Sequence, residues 1–169
     1  MCAGRFRDAD LAPLAALFDL EKLSLSENDK INGTFCVHLA GLRRLRELSP
    51  GEHISDDGLA CIARIANLET LFLKGPFSDA GLGQIRSLKR LQTLYVTSER
   101  VTPEGLAVVA ELPELTDLGL RVTPVTDASV PILARCKALA SLTLFHSDLT
   151  YEGRKLLREA LLDCDLDEH

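Results

Sequence analysis

LETLFLKGPFSDAGLGQIRSLKR, residues 68–90, is followed at once by LQTLYVTSERVTPEGLAVVAELPE, residues 91–114, and the two are one pattern written twice. Each copy opens with L-x-x-L-x-[LV] and runs through a few polar residues to one apolar residue. It then reads [ST]-[DP]-x-G-L into an apolar-periodic tail. Working outward from this pair, the same opening falls at Leu20, Leu45, Leu68, Leu91, Leu115 and Leu139, at separations of 25, 23, 23, 24 and 24 residues. So regular a period is the mark of a repeat architecture. We number the units one to six from these leucines.

Within each opening, the last two apolar residues alternate with a residue outside the core, the period of a strand with one buried face. Ser55, Ser78, Thr102, Thr126 and Thr150 then stand where a side-chain oxygen caps a helix. The residue after the cap is Asp56, Asp79, Pro103, Asp127 or Tyr151; Asp suits the positive end of a helix and Pro its first position. Gly58, Gly81, Gly105 and Gly153 come three after the cap, with Ser129 in unit five. A helix former is normally better there, so the glycines predict a tight approach to the neighbouring turn.

One unit cannot bury both its strand face and its helix face, but stacked units can. The expected fold is therefore α/β, a right-handed β-α solenoid of about six repeats, with a curved parallel sheet on the concave side and helices on the convex side. We expect one domain over 1–169: a loose tail over 1–7, an N-terminal capping helix over 8–19, repeats over 20–149, and a C-terminal cap over 150–169 with a short final strand. Pro50 predicts a short or broken second strand, since Pro cannot donate to a ladder. Pro131 predicts an irregular first turn in the fifth helix. Arg154, at a position where other units bury Leu, predicts that no further unit stacks there.

A chain of 169 residues can bury roughly two-thirds of its unfolded surface, and 46% hydrophobic with 26% charged residues is an ordinary globular composition. The net charge of -6 lacks the basic stripe a nucleic-acid binder needs, and Arg43, Arg44 and Arg46 read as solvated surface. No run approaches the ~20 apolar residues of a membrane span, and the first ten residues hold no signal core. Five irregularly spaced cysteines, Cys2, Cys36, Cys61, Cys136 and Cys164, do not form a disulfide framework, which suits a reducing cytoplasm.

Chemistry is sparse. Cys36 and His38 resemble a thiol with a base, but they are two apart and Cys36 falls at a core position. The histidines are scattered, no C-x-x-C pair occurs, and Gly81-Leu82-Gly83 lacks the rest of a phosphate-binding motif, so neither a metal nor a cofactor is expected.

On these in-phase units the chain resembles leucine-rich repeat proteins over about residues 9–166. It is most similar to the short, helix-bearing class related to ribonuclease-inhibitor-like and F-box-associated repeats. The recurrent [ST]-D-x-G-L and the ending A-L-x-x-C-x-L (160–166) resemble such proteins of bacteria, planctomycetes especially. The resemblance implies protein–protein interaction without naming a partner.

The expected site is the concave face. Reading down the stack, one outward column is Ser24, Ser49, Phe72, Tyr95, Gly119, Thr143, and the next is Ser26, Gly51, Lys74, Thr97, Arg121, Phe145. Aromatics held in water beside Lys and Arg are the composition of interface hot spots. Phe72, Lys74, Tyr95, Thr97, Arg121 and Phe145 are therefore the candidate partner-binding residues, with Gly119 expected to leave a dip between them. The expected function is a non-enzymatic module that binds a protein partner. The alternative is a structural subunit of a larger assembly, docked through its convex helices or end caps.

Overall fold

A computed structural model of the chain describes residues 6–26 and 28–168. The tail expected over 1–7 therefore lies outside the described residues up to residue 5, as do Cys2 and His169. Among the described residues seven strands, β1 (Lys22–Ser24), β2 (Glu47–Ser49), β3 (Thr70–Lys74), β4 (Thr93–Thr97), β5 (Asp117–Arg121), β6 (Ser141–Phe145) and β7 (Asp165–Glu168), form one parallel sheet in strictly sequential order. The first six belong to the six units, and β7 is the short strand expected after the last helix.

The register is that of the repeat itself. Leu23, Leu48, Leu71, Leu94, Leu118, Leu142 and Leu166 lie side by side across the sheet. Those from Leu48 to Leu142 are buried; Leu23 and Leu166, on the edge strands, are half-buried. The lone apolar residue of each unit, Ile31, Ile54, Phe77, Val101, Val125 or Leu149, is buried behind them. Each such side chain contributes roughly 2 kcal/mol relative to leaving it in water. β2 stops before Pro50 and pairs with β3 at only two positions, the short second strand that Pro50 dictates.

The helical halves are slighter than the sequence suggests. α1 spans Asp56–Ile62, α2 Asp79–Leu82 and α3 Val130–Leu133; much of the rest is 3-10 helix, at Thr34–His38, Gly83–Ser87 and Gly105–Glu111. A unit of 23 or 24 residues must also supply a strand and two crossings, and this leaves room for only a turn or two. The longest α-helix is α4 (Tyr151–Ala160), in the last unit. In unit five a 3-10 turn, Asp127–Ser129, precedes Val130, so the first turn is irregular where Pro131 enters.

The segment expected as an α-helix over 8–19 is instead 3-10 over Asp8–Ala16, with Pro13 inside it. Three residues per turn bring Leu11 and Leu14 onto one side, and these two face the core. Leu17 and Phe18 lie past its end and are exposed, Phe18 by 69%.

The capping signals serve a second purpose. Asp56 accepts two hydrogen bonds from the next unit, from Ser78 N–H and Ser78 O–H, both at 2.7 Å. Asp79 accepts the same pair from Thr102 at 2.8 and 2.7 Å, and Asp127 from Thr150 at 2.9 and 2.7 Å. Ser55 and Thr150 also cap their own helices, accepting from Gly58 and Gly153; Ser78 and Thr102 do not, contrary to the sequence reading. Asp8 forms a variant rung to unit one, accepting from Asn32 N–H and Phe35 N–H. In unit two the Asn32 carbonyl takes the bonds from Ser55.

This ladder explains three of the four glycines. A Cβ on Gly81 would lie 2.8 Å from the Asp56 carboxyl carbon, one on Gly153 would lie 2.8 Å from that of Asp127, and one on Gly105 would lie 3.0 Å from Asp79 Cβ with the carboxylate nearer still. Each glycine admits the aspartate of the preceding unit. In unit four Pro103 replaces the aspartate, and residues with side chains stand at the glycine position in unit one (Phe35) and unit five (Ser129). The tight approach expected from the glycines is present, and its partner is a carboxylate at Gly81, Gly105 and Gly153 and the Asn32 backbone carbonyl at Gly58.

Candidate interaction face

The residues flanking the strand leucines point away from the core, and the sheet pairs them as the repeat predicts. Phe72 neighbours Tyr95, Tyr95 neighbours Gly119, and Gly119 neighbours Thr143. Lys74, Thr97, Arg121 and Phe145 form the adjacent row. All six candidate residues line one depression of about 330 Å³ on the open face of the sheet, with Ser49, Glu52 and Gly119 among its other walls.

The aromatic centre is built by shingling. The Phe72 and Tyr95 rings stack at 5.1 Å between centroids and 12° between planes. Tyr95 in turn lies over Gly119, whose added Cβ would sit 3.2 Å from Tyr95 Cγ with two further ring atoms closer. The dip expected at Gly119 is therefore filled by the Tyr95 ring, and Gly119 is buried. Phe72 and Tyr95 keep 37% and 38% of their surface in water, so each offers a partner only part of a ring.

The charges beside them are already engaged. Lys74 Nζ lies 2.5 Å from Glu52 Oε2, and the Arg121 guanidinium sits 5.5 Å from the centre of the Phe145 ring. Phe145 is half-buried rather than exposed. Sequence reasoning missed Glu52, although its place 22 residues before Lys74, one period back, was the available signal. Across the face the character changes in steps. Ser24, Ser26 and Ser49 link their hydroxyls at 3.1 and 3.2 Å at one end, and Asp117, Asp165 and Asp167 stand at the other. A second depression, lined by His53, Pro76, Arg100 and Val122 among others, adjoins the first at Glu52, Lys74 and Thr97. Val122 is 42% exposed with φ of 54°, an uncommon conformation for a β-branched residue.

The other sequence candidates lie elsewhere. Cys36 is buried, and burial pushes its thiol far up from the ordinary value, the opposite of what a nucleophile needs. Cys136 is pushed up to about 11 for the same reason. Arg44 pairs with Asp19 at 2.6 Å and Arg46 with Glu69, so two of the three arginines of that cluster are paired at the surface. Among the described residues no group of three or more His, Cys, Asp and Glu is placed to hold a metal ion, and no helix is long and apolar enough to cross a membrane.

No family model matches the chain, and no curated protein matches it in sequence. Solved structures do resemble it. Internalin C2 of Listeria monocytogenes superposes with a TM-score of 0.65 at 22% identity, covering 92% of this chain and 65% of that one. A leucine-rich repeat protein of Leptospira interrogans superposes with a TM-score of 0.51 at 14% identity, covering 92% of this chain and 50% of that one. The chain thus spans 65% of the length of the first and half that of the second. At these identities the likeness speaks for architecture alone, and it agrees with the sequential parallel sheet: the chain has the leucine-rich repeat fold.

Proposed function

We propose that this protein is a non-enzymatic interaction module that binds a protein partner through the open face of its sheet. The observation that carries the reading is the Phe72–Tyr95 stack, two rings left more than a third exposed in the middle of a face whose edges are hydroxyls and carboxylates. Stacked-repeat proteins use such continuous faces for recognition. Because Lys74 and Arg121 are held by Glu52 and Phe145, the rings supply the contact area and the charges frame it. Truncating one anchor costs on the order of 2 kcal/mol at a true hot spot. The proposal includes a bacterial source and the short helix-bearing repeat class, and a cytoplasmic setting supported by the buried free thiols of Cys36, Cys61 and Cys136.

A second reading rests on the other end of the molecule. Tyr151 and Leu162 are 82% and 84% exposed on and just beyond α4, beside Lys155 and Arg158, a surface suited to docking the protein as a subunit of a larger assembly. Affinity capture from cell extract, followed by titration of whatever is captured, separates the two. A partner bound by wild type and at least about tenfold more weakly by folded Phe72→Ala/Tyr95→Ala places binding on the sheet. Equal affinity refutes that placement, and loss with Tyr151→Ala/Leu162→Ala instead supports the end of the solenoid.

A further inference from the structure

Where units one and two lack an aspartate rung the Asn32 carbonyl replaces it, but between units four and five nothing does among the described residues, and that junction falls in the middle of the candidate face. Asp56–Ser78 joins the helical halves of units two and three, Asp79–Thr102 those of three and four, and Asp127–Thr150 those of five and six. Between units four and five Pro103 offers no carboxylate. Thr126 N–H turns instead to Ser129 Oγ of its own unit at 3.3 Å. Among the described residues no hydrogen bond or ion pair links the helical half of unit four (98–114) to that of unit five (122–138). The nearest substitute is a 3.5 Å contact from Thr123 Oγ1 to the Val96 carbonyl in β4. Other junctions carry extra bonds beyond their rungs, such as Arg100 to Pro76 O at 2.7 Å and Lys137 to Ala160 O at 2.8 Å.

The sheet side of the same junction is complete. β4 and β5 pair over five positions, and the Tyr95 ring reaches across to lie on Gly119. What remains on the helical side is apolar packing of Leu106, Val108 and Val109 toward Val130 and Leu133. Such packing is non-directional and tolerates sliding, whereas paired hydrogen bonds do not.

From this geometry we infer that the solenoid is hinged between units four and five, with the β4–β5 pairing as pivot and the helical side free to open. The hinge separates Phe72 and Tyr95, on units three and four, from Arg121 and Phe145, on units five and six. Bending there changes the distance between the two halves of the depression without breaking a strand. The hinge stands on the ladder alone and does not depend on what the face binds.

Residue-resolved native-state hydrogen exchange tests it. After correction for intrinsic rates, the Thr126 amide should exchange at least about tenfold faster than those of Ser78, Thr102 and Thr150, because local opening exposes it before global unfolding does. Pro103→Asp/Ser129→Gly supplies the missing carboxylate and clears room for it, and should bring Thr126 within about threefold of Thr102. Conversely, Asp79→Ala should open a second hinge, with Thr102 now exchanging fast. As an independent readout, spin labels at Gln84 and Arg135, in a Cys2→Ser/Cys164→Ser background, span the junction. Their distance distribution should be broader than that of labels at Ala40 and Gln84, and should narrow in the restored variant. Equal protection of the four amides, or equal widths of the two distributions, overturns the inference.

Discussion

Adding one methyl group at Gly105 tests whether the ladder, rather than helix chemistry, dictates the glycines. Gly105→Ala places a Cβ against the Asp79 side chain, 3.0 Å from its Cβ and closer to its carboxylate. The carboxylate must swing away, giving up the bonds from Thr102 N–H at 2.8 Å and Thr102 O–H at 2.7 Å. Hydrogen bonds to a charged group are worth about 1.5–3 kcal/mol each, and two considerations favour the low end here. Thr102 is exposed, so water replaces part of the loss, and its hydroxyl can turn fully to Glu104 Oε2, already 2.9 Å away. The rung is then worth about 2–3 kcal/mol, against which alanine returns at most ~1 kcal/mol of helix propensity. Gly105→Ala should therefore destabilise by about 2 kcal/mol, or roughly 4–8 °C in Tm for a chain of this size. Asp79→Ala should cost about 2–3 kcal/mol alone. In Asp79→Ala/Gly105→Ala the methyl meets open space, so the double variant should be no less stable than Asp79→Ala. Guanidinium denaturation of all four proteins, with m-values compared to confirm a single transition, gives the coupling energy. A coupling within about 0.5 kcal/mol of zero would refute the steric account, because additive costs would mean that Gly105 and Asp79 act independently.

Three further outcomes follow from the same structure. Asp127 has its carboxyl held below the ordinary 3.8 by the Thr150 hydroxyl first and the Thr150 amide second. A depressed folded pKa means the stabilisation is present above the unfolded value and fades as pH falls through the folded one, so wild type should lose its advantage over Asp127→Asn in acid melts below about pH 4. Gly119→Ala should lift the Tyr95 ring off the sheet and break its stack on Phe72, seen as a changed near-ultraviolet circular dichroism with the far-ultraviolet spectrum kept; an unchanged aromatic signal would count against the shingled arrangement. Thiol labelling with peptide mapping should modify Cys164 in the native protein well before the buried Cys36 and Cys136, whose thiols burial holds protonated, and modification of Cys36 at the rate of Cys164 would contradict the packing of unit one.

The period and the strand rows were legible because both rest on side-chain hydrophobicity, which a linear pattern displays directly. Phe72, Tyr95 and Gly119 could be placed in one column by counting. That the Tyr95 ring covers Gly119 could not, since it depends on which way a side chain leans along the stack. The same limit hid Glu52, the partner of Lys74 one period back and outside both columns. The helices were overdrawn. Apolar spacing over 8–18 suits a 3.6-residue turn as well as a 3-residue one, and Pro13 decided for the latter. Asp56 and Asp79 were read as helix-start charges because that effect is local. Their real partners lie 22 and 23 residues away in the following unit. The trace of the ladder in the sequence is Ser129, which stands where units two, three, four and six have glycine, in the unit that follows Pro103.

That exception implies a grammar of adjacency. A unit carrying Asp demands a glycine in the unit behind it, whereas a unit carrying Pro accepts a serine there. Moving unit five behind unit three would drive the Ser129 side chain into the Asp79 carboxylate, and moving unit six behind unit four would leave Gly153 facing no carboxylate at all. Units of nearly equal length are thus not interchangeable. Any duplication, deletion or recombination of this array that keeps it stable must cut so that each accepting carboxylate travels with the glycine-bearing unit that makes room for it.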